Sequence, residues 1–189
     1  KGVSEKQVRV LHEALKNYQG SYEIILNLSK LGFSTRDSLR IYSKFKEKSF
    51  DIINDDIYKA YYFIDDIYFK TCDYIYQKNS EETDNVKRIR AVLIYILREL
   101  TNVSGNTYFY LDEVRPYFIR IIGTDISDEL LLEALNSLIS LELIVVKEDK
   151  IYLKEYYDAE IFIARRLRLL AHEKSETLKN YEKVLKEIE

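Results

Sequence analysis

The chain has 189 residues, 47% of them hydrophobic, and a net charge of −3, enough apolar material for one large core or two small ones. A single cysteine, Cys72, excludes an intrachain disulfide framework and fits a reducing, cytoplasmic setting, while two histidines, His12 and His172, exclude Cys/His metal sites of the usual spacing. No apolar run approaches the roughly 18–20 residues of a membrane span, and no signal peptide is visible.

In chain order, Val8, Leu11, Leu15 and Tyr18 predict a helix over 5–18. Gly20 interrupts it, and Ile24, Ile25, Leu28 and Leu31 predict a second helix over 22–31. Gly32 turns the chain, Ser34 caps the next helix with Asp37 at the capping-box position, and Leu39, Ile41, Tyr42 and Phe45 form its apolar face. Lys78 to Asn85 is polar and turn-rich, the expected boundary.

Beyond it a helix is expected from Val86 to Leu100, with Ile89, Val92, Leu93, Ile96 and Leu97 buried. Thr107–Leu111 reads as a short strand, Asp112–Ile122 as a helix in which Pro116 is tolerable only near the start, and Asp128–Leu141 as a helix capped by Ser127. Leu143–Val146 and Ile151–Leu153, separated by Lys147-Glu148-Asp149-Lys150, read as a β-hairpin. Helix, strand, helix, helix, hairpin is the order of a winged-helix module. A helix from Lys154 through Tyr157, Ile161, Ala164, Leu167 and Leu170, and a charged one from Thr177, close the chain.

The most informative motif is repeated. Gly2-Val3-Ser4-Glu5-Lys6 returns as Gly32-Phe33-Ser34-Thr35-Arg36, each copy followed by a helical pattern. Glycine permits a tight hairpin, serine caps the following helix, and the cation stands in its first turn. Backbone N–H groups, the helix dipole and the cation together suit a phosphate, contacted without regard to base sequence. The repeat lies in the chain's basic block: residues 1–50 carry a net charge of +5, residues 51–85 −6 and residues 86–189 −2. A third copy, Asp66-Ile67-Tyr68-Phe69-Lys70, keeps the apolar residue and Lys70 but loses glycine and serine, and Asp65 and Asp66 would repel a phosphate. This hairpin is therefore expected to keep the packing and to have largely lost the binding.

Other signals are weaker. The helix from Asp128 contains no Lys or Arg, which argues against base-specific reading of a groove. Glu148 and Asp149 separate Lys147 from Lys150 in the wing. Lys87, Arg88 and Arg90, and Arg165, Arg166 and Arg168, are short cationic groups of the kind that usually form solvated faces or ion pairs. Seventeen tyrosines follow no spacing that marks a stacking platform. There is no G-x-x-x-x-G-K-[ST] phosphate loop, and no catalytic residue is assigned.

Lys1-Gly2-Val3-Ser4-Glu5-Lys6, Leu31-Gly32-Phe33-Ser34, Asp56-Ile57-Tyr58 and Phe69-Lys70-Thr71-Cys72-Asp73 together resemble the N-terminal region of RecD/TraA-type DNA helicases. Arg88-Ile89-Arg90, Gly105-Asn106-Thr107-Tyr108, Ile151-Tyr152-Leu153 and Ala159-Glu160 extend the resemblance in order along the chain. It implies tandem helix-hairpin-helix units and a winged-helix-like module ahead of an ATP-driven 5′–3′ motor, which would begin after Glu189. ATP and Mg would belong to that motor, and this segment needs no cofactor. Two departures stand out: the family's Asn-Pro-Tyr is Asp56-Ile57-Tyr58 here, and its third hairpin, Gly-Ile-Gly-Phe, is Asp66-Ile67-Tyr68-Phe69.

The expectation is a mainly α chain: helix-hairpin-helix repeats at 1–79, a winged-helix-like module at 86–154 and trailing helices at 155–189. Its partners would be DNA, held by the backbone through Gly2, Val3, Ser4, Lys6, Gly32, Phe33, Ser34, Arg36 and, more weakly, Lys70, and an attached motor; no membrane is involved. The rival expectation is a helical protein-interaction scaffold without DNA contact.

Overall fold

The computed structural model describes residues 20–80 and 85–172. The first hairpin, the helix expected over 5–18 and the closing helix from Thr177 lie outside these residues. The elements are α1 (20–31), α2 (Thr35–Phe45), a 3₁₀ turn (Lys46–Lys48), α3 (Ser49–Asp55), α4 (Lys59–Phe63) and α5 (Phe69–Asn79). They continue with α6 (Val86–Ser104), β1 (Tyr108–Tyr110), α7 (Leu111–Ile122), α8 (Asp128–Ser140), β2 (Ile144–Lys147), β3 (Lys150–Leu153) and α9 (Lys154–His172). The described residues are therefore mainly helical, with one small antiparallel sheet among them in the order β1-β3-β2.

Local chemistry sets most boundaries. Ser34 Oγ accepts the Asp37 N–H at the start of α2, and Ser127 Oγ accepts the Leu130 N–H at the start of α8. Gly105 and Gly123, both left-handed, end α6 and α7. Glu148 and Asp149 take positive φ between β2 and β3, the two-residue geometry that matches strand twist. Gly20, expected to interrupt, is itself helical. Pro116 sits in the middle of α7, later than expected, on an exposed face where water can serve the carbonyl it leaves without a donor. Helices α3 and α4 are too short to announce themselves by apolar period.

Helix α6 is the axis of the fold. From Arg88 to Leu97 every residue except Tyr95 is buried, so the expected stripe becomes a helix enclosed on nearly all sides. One apolar cluster extends from Leu28 through Tyr58, Phe69 and α6 to Phe118, Leu138 and Leu153, so both halves share a core. Tyr58, from the departed Asp56-Ile57-Tyr58 motif, is fully buried; its ring lies 5.4 Å from that of Tyr76 and 6.3 Å from that of Phe69. Phe69 in turn stacks on Tyr95 of α6 at 4.6 Å.

The first cationic group proves internal. Arg88 donates from Nε to Asp73 Oδ1 at 2.8 Å and from Nη2 to Oδ2 at 3.2 Å, and the same carboxylate accepts from the Tyr58 hydroxyl and Gln77. Arg90 donates to Asp56 Oδ2 at 2.8 Å and to the Ser137 hydroxyl of α8 at 2.6 Å. Lys87 lies 3.5 Å from Asp55. Of the two expectations for this group, Arg88 and Arg90 take the ion-paired one: both are buried against carboxylates. The Asp56 side chain also accepts the Tyr58 N–H. Its burial raises the carboxyl above its ordinary range even against the pull of Arg90.

Cys72 is fully buried, and burial pushes its thiol up to about 12. A disulfide reagent at mildly alkaline pH will therefore leave the native protein unlabelled and react freely in denaturant. Rapid native labelling would contradict this burial. Because the native thiol holds its proton where the unfolded one loses it, this group's contribution to stability is present below the unfolded pKa. It is lost as pH rises toward 12.

Candidate nucleic-acid interface

The hairpin at Gly32 closes α1 and opens α2. Gly32 has φ +122°, donates its N–H to the Ser29 carbonyl, and is followed by Phe33, whose N–H reaches the Leu28 carbonyl. This paired closure ends a helix on glycine and brings the residue after it, Phe33, onto Leu28 in the core. Ile75 of α5 lies beneath the turn, and Asn79 of α5 donates to the Leu31 carbonyl.

The chain then leaves the turn at the exposed Ser34, and Thr35, Arg36 and Asp37 form the first turn of α2. Ser34 accepts the Asp37 N–H at 3.1 Å while its hydroxyl donates to Asp37 Oδ2 at 2.7 Å. The expected donor set is corrected here: the Gly32 and Phe33 amides serve the end of α1. The amides at the mouth of the hairpin are those of Thr35 and Arg36, in the turn where no intrahelical carbonyl reaches. Leu39, counted on the apolar face of α2, is exposed, and buried Ser38 takes its place there, 3.3 Å from Ser29.

From its positive-φ residue onward the third copy follows the same path, although α4 ends earlier, at Phe63. Asp66 takes φ +62° where Gly32 stood, Ile67 is buried like Phe33, and Tyr68 is the extended cap of α5 as Ser34 is of α2. Phe69 and Lys70 match Thr35 and Arg36, so Lys70 and Arg36 both stand exposed in the first turn of a helix. An aspartate tolerates the left-handed conformation better than most residues, which lets the turn survive without glycine.

Asp66 does not stand as an open negative charge. Arg40 of α2 donates to its carboxylate at 2.7 Å and to its carbonyl at 3.2 Å, tying the two hairpins together. Arg40 also lies 3.7 Å from Asp37. Sequence reasoning passed over Arg40, because its partner is 26 residues away. Beside the third hairpin an open groove of about 630 Å³ is lined by Tyr68, Lys70, Tyr61 and Arg98. The Arg98 guanidinium sits 4.8 Å from the Tyr61 ring centre, and Asp65, Glu99 and Glu155 offset its charge.

Elsewhere, the polar residues expected on α8 are partly engaged within the molecule. Ser137 accepts from Arg90, and Asp128 is held by Arg115 at 2.7 Å. Arg165, Arg166 and Arg168 are exposed on α9, as are Phe162, Ile163, Leu167, Leu169 and Leu170. No helix among the described residues is long and apolar enough to cross a membrane. Gly2, Val3, Ser4 and Lys6 fall outside the described residues. Residues 17–108 match the family model of the ATP-dependent RecD2 DNA helicase HHH domain.

Proposed function

We propose that this chain, whose residues 17–108 match the RecD2 helicase HHH family model, holds DNA by its phosphate backbone, without sequence preference, and positions it for an attached 5′–3′ helicase motor. The observation that carries this reading is the matched pair of hairpins. Each turns the chain at a positive-φ residue, buries the next side chain and presents a cation in the first turn of the following helix. A phosphate there meets unpaired amides, the positive end of a helix and Arg36 or Lys70 at once. The first copy, Gly2-Val3-Ser4 with Lys6, would add a third contact of the same kind.

Binding is expected in the ~10⁻⁴–10⁻⁶ M range of non-specific contacts and falls with salt. In a fluorescence-anisotropy titration of the 189-residue chain, Lys6→Glu with Arg36→Glu removes most binding and leaves thermal stability nearly unchanged. Adding Lys70→Glu lowers it further, and each cation removed reduces the log–log salt slope by about 1. Undiminished binding by these variants would refute the hairpin assignment.

The exposed apolar residues of α9 favour a second reading, a scaffold that docks protein. Absence of DNA binding even at low salt would select it.

A further inference from the structure

The outer face of the three-stranded sheet gathers tyrosines that are far apart in sequence. Tyr108 and Tyr110 alternate with core-facing Phe109 on β1, and the antiparallel register sets Tyr108 opposite Tyr152 and Tyr110 opposite Lys150. On the other side of β3, Val145 pairs with Tyr152 and Lys147 with Lys150. Phe109, Ile144, Ile151 and Leu153 all belong to the core, so these six residues lie on the opposite face of the sheet, where Tyr152 is itself covered. The rings of this face are contiguous but not coplanar: Tyr110 meets Tyr108 edge to face at 5.8 Å, and Tyr108 is tilted against Tyr152 at 5.4 Å. Lys150 Nζ lies 4.7 Å from the Tyr108 ring centre.

One end of the face is closed. Tyr157 of α9 packs on Tyr152 at 5.3 Å, and Thr107 is hydrogen-bonded to Glu160 there. The other end is open: Tyr110 is 43% exposed, Lys147 is exposed, and a cleft of about 290 Å³ runs beside Tyr108 and Tyr110. No strand residue on this face is acidic. Of the nearby carboxylates, Glu113 is engaged by the Tyr110 N–H, and Glu148 and Asp149 sit at the hairpin tip.

We infer that this face is a stacking site for unpaired bases of single-stranded DNA, with the exposed Tyr110 ring taking a base, Tyr108 set edge-on behind it, and Lys150 and Lys147 meeting the flanking phosphates. Aromatic faces bind any base because every base has a π-face, and flanking cations track the backbone. A duplex keeps its base faces stacked inside, so the site selects a single strand. The inference rests on the nucleic-acid reading of the chain but on different residues from the hairpins, so the two can fail separately.

The test is anisotropy of the full 189-residue chain with a labelled oligo-dT strand and with a blunt duplex of equal length. Tyr110→Ala is expected to weaken oligo-dT binding by about fivefold or more, and to leave duplex binding unchanged. Tyr110→Phe, which keeps the ring, retains it. Photocrosslinking of a halogenated-uracil strand to the peptide containing Tyr108 and Tyr110 supports the same placement. Equal oligo-dT affinity for wild type and Tyr110→Ala, or equal losses on both DNAs, overturns the stacking site. If that occurs while Arg36→Glu still weakens both DNAs, the hairpin reading stands alone. Binding of neither DNA by the unaltered chain overturns both.

Discussion

Replacing Arg88 by alanine lowers the unfolding free energy by about 3–5 kcal/mol. The cost follows from what remains behind. Asp73 is buried, and losing the two guanidinium bonds leaves its charge with only the Tyr58 hydroxyl and Gln77 as donors. The low-dielectric surroundings that strengthened the pair make the orphaned carboxylate expensive. For a domain of this size the loss corresponds to a fall in Tm of roughly 6–20 °C, measurable by calorimetry or a circular-dichroism melt. The double variant Arg88→Met with Asp73→Leu is the informative control, because removing both charges together costs far less than removing one. A single variant that melts like the parent would mean that water reaches Asp73.

The second large effect is expected at Gly32. A Cβ there would stand 3.2 Å from Ile75 Cγ1, at a φ of +122° that a branched side chain does not tolerate. Gly32→Val therefore combines backbone strain of about 1–3 kcal/mol with overpacking of about 1–3 kcal/mol. Urea denaturation measures the sum. Gly32→Ala, with the same φ and a smaller clash, should fall between the parent and valine. The same substitution displaces the mouth of the hairpin, since the path from Gly32 to Ser34 aims the first turn of α2. DNA affinity should drop even where the fold survives. An unaffected Gly32→Val would show that the turn does not need the left-handed conformation.

What the sequence made legible was local. Gly32, Ser34, Ser127 and the glycines after α6 and α7 each act within a few residues, and the structure places each as a turn or cap. The order helix, strand, helix, helix, hairpin was readable for the same reason, because period and turn chemistry are short-range signals. Asp66 was read by charge alone. That it carries the left-handed turn, and that Arg40 neutralises it, depends on a packing contact from a different helix. Arg88 and Arg90 looked like a surface cluster because their counter-charges, Asp73 and Asp56, are 15 and 34 residues upstream. The tyrosine face was hidden for a related reason: Tyr108 and Tyr110 are neighbours in sequence, but strand pairing brings in Tyr152 and Lys150. Conversely, the apolar stripe expected to bury α9 is exposed over much of its length, since period shows that a helix has a face and not what covers it.

The sharing of α6 between hairpins and sheet has a mechanical corollary. Asp56, Arg90 and Ser137 form a bolt through three segments, and the Phe69–Tyr95 stack a second. Load applied at the hairpins would then reach the opposite end as a rigid displacement and would not be absorbed by a hinge. Stretched from its ends in an optical trap, such a strut gives way in a single rip.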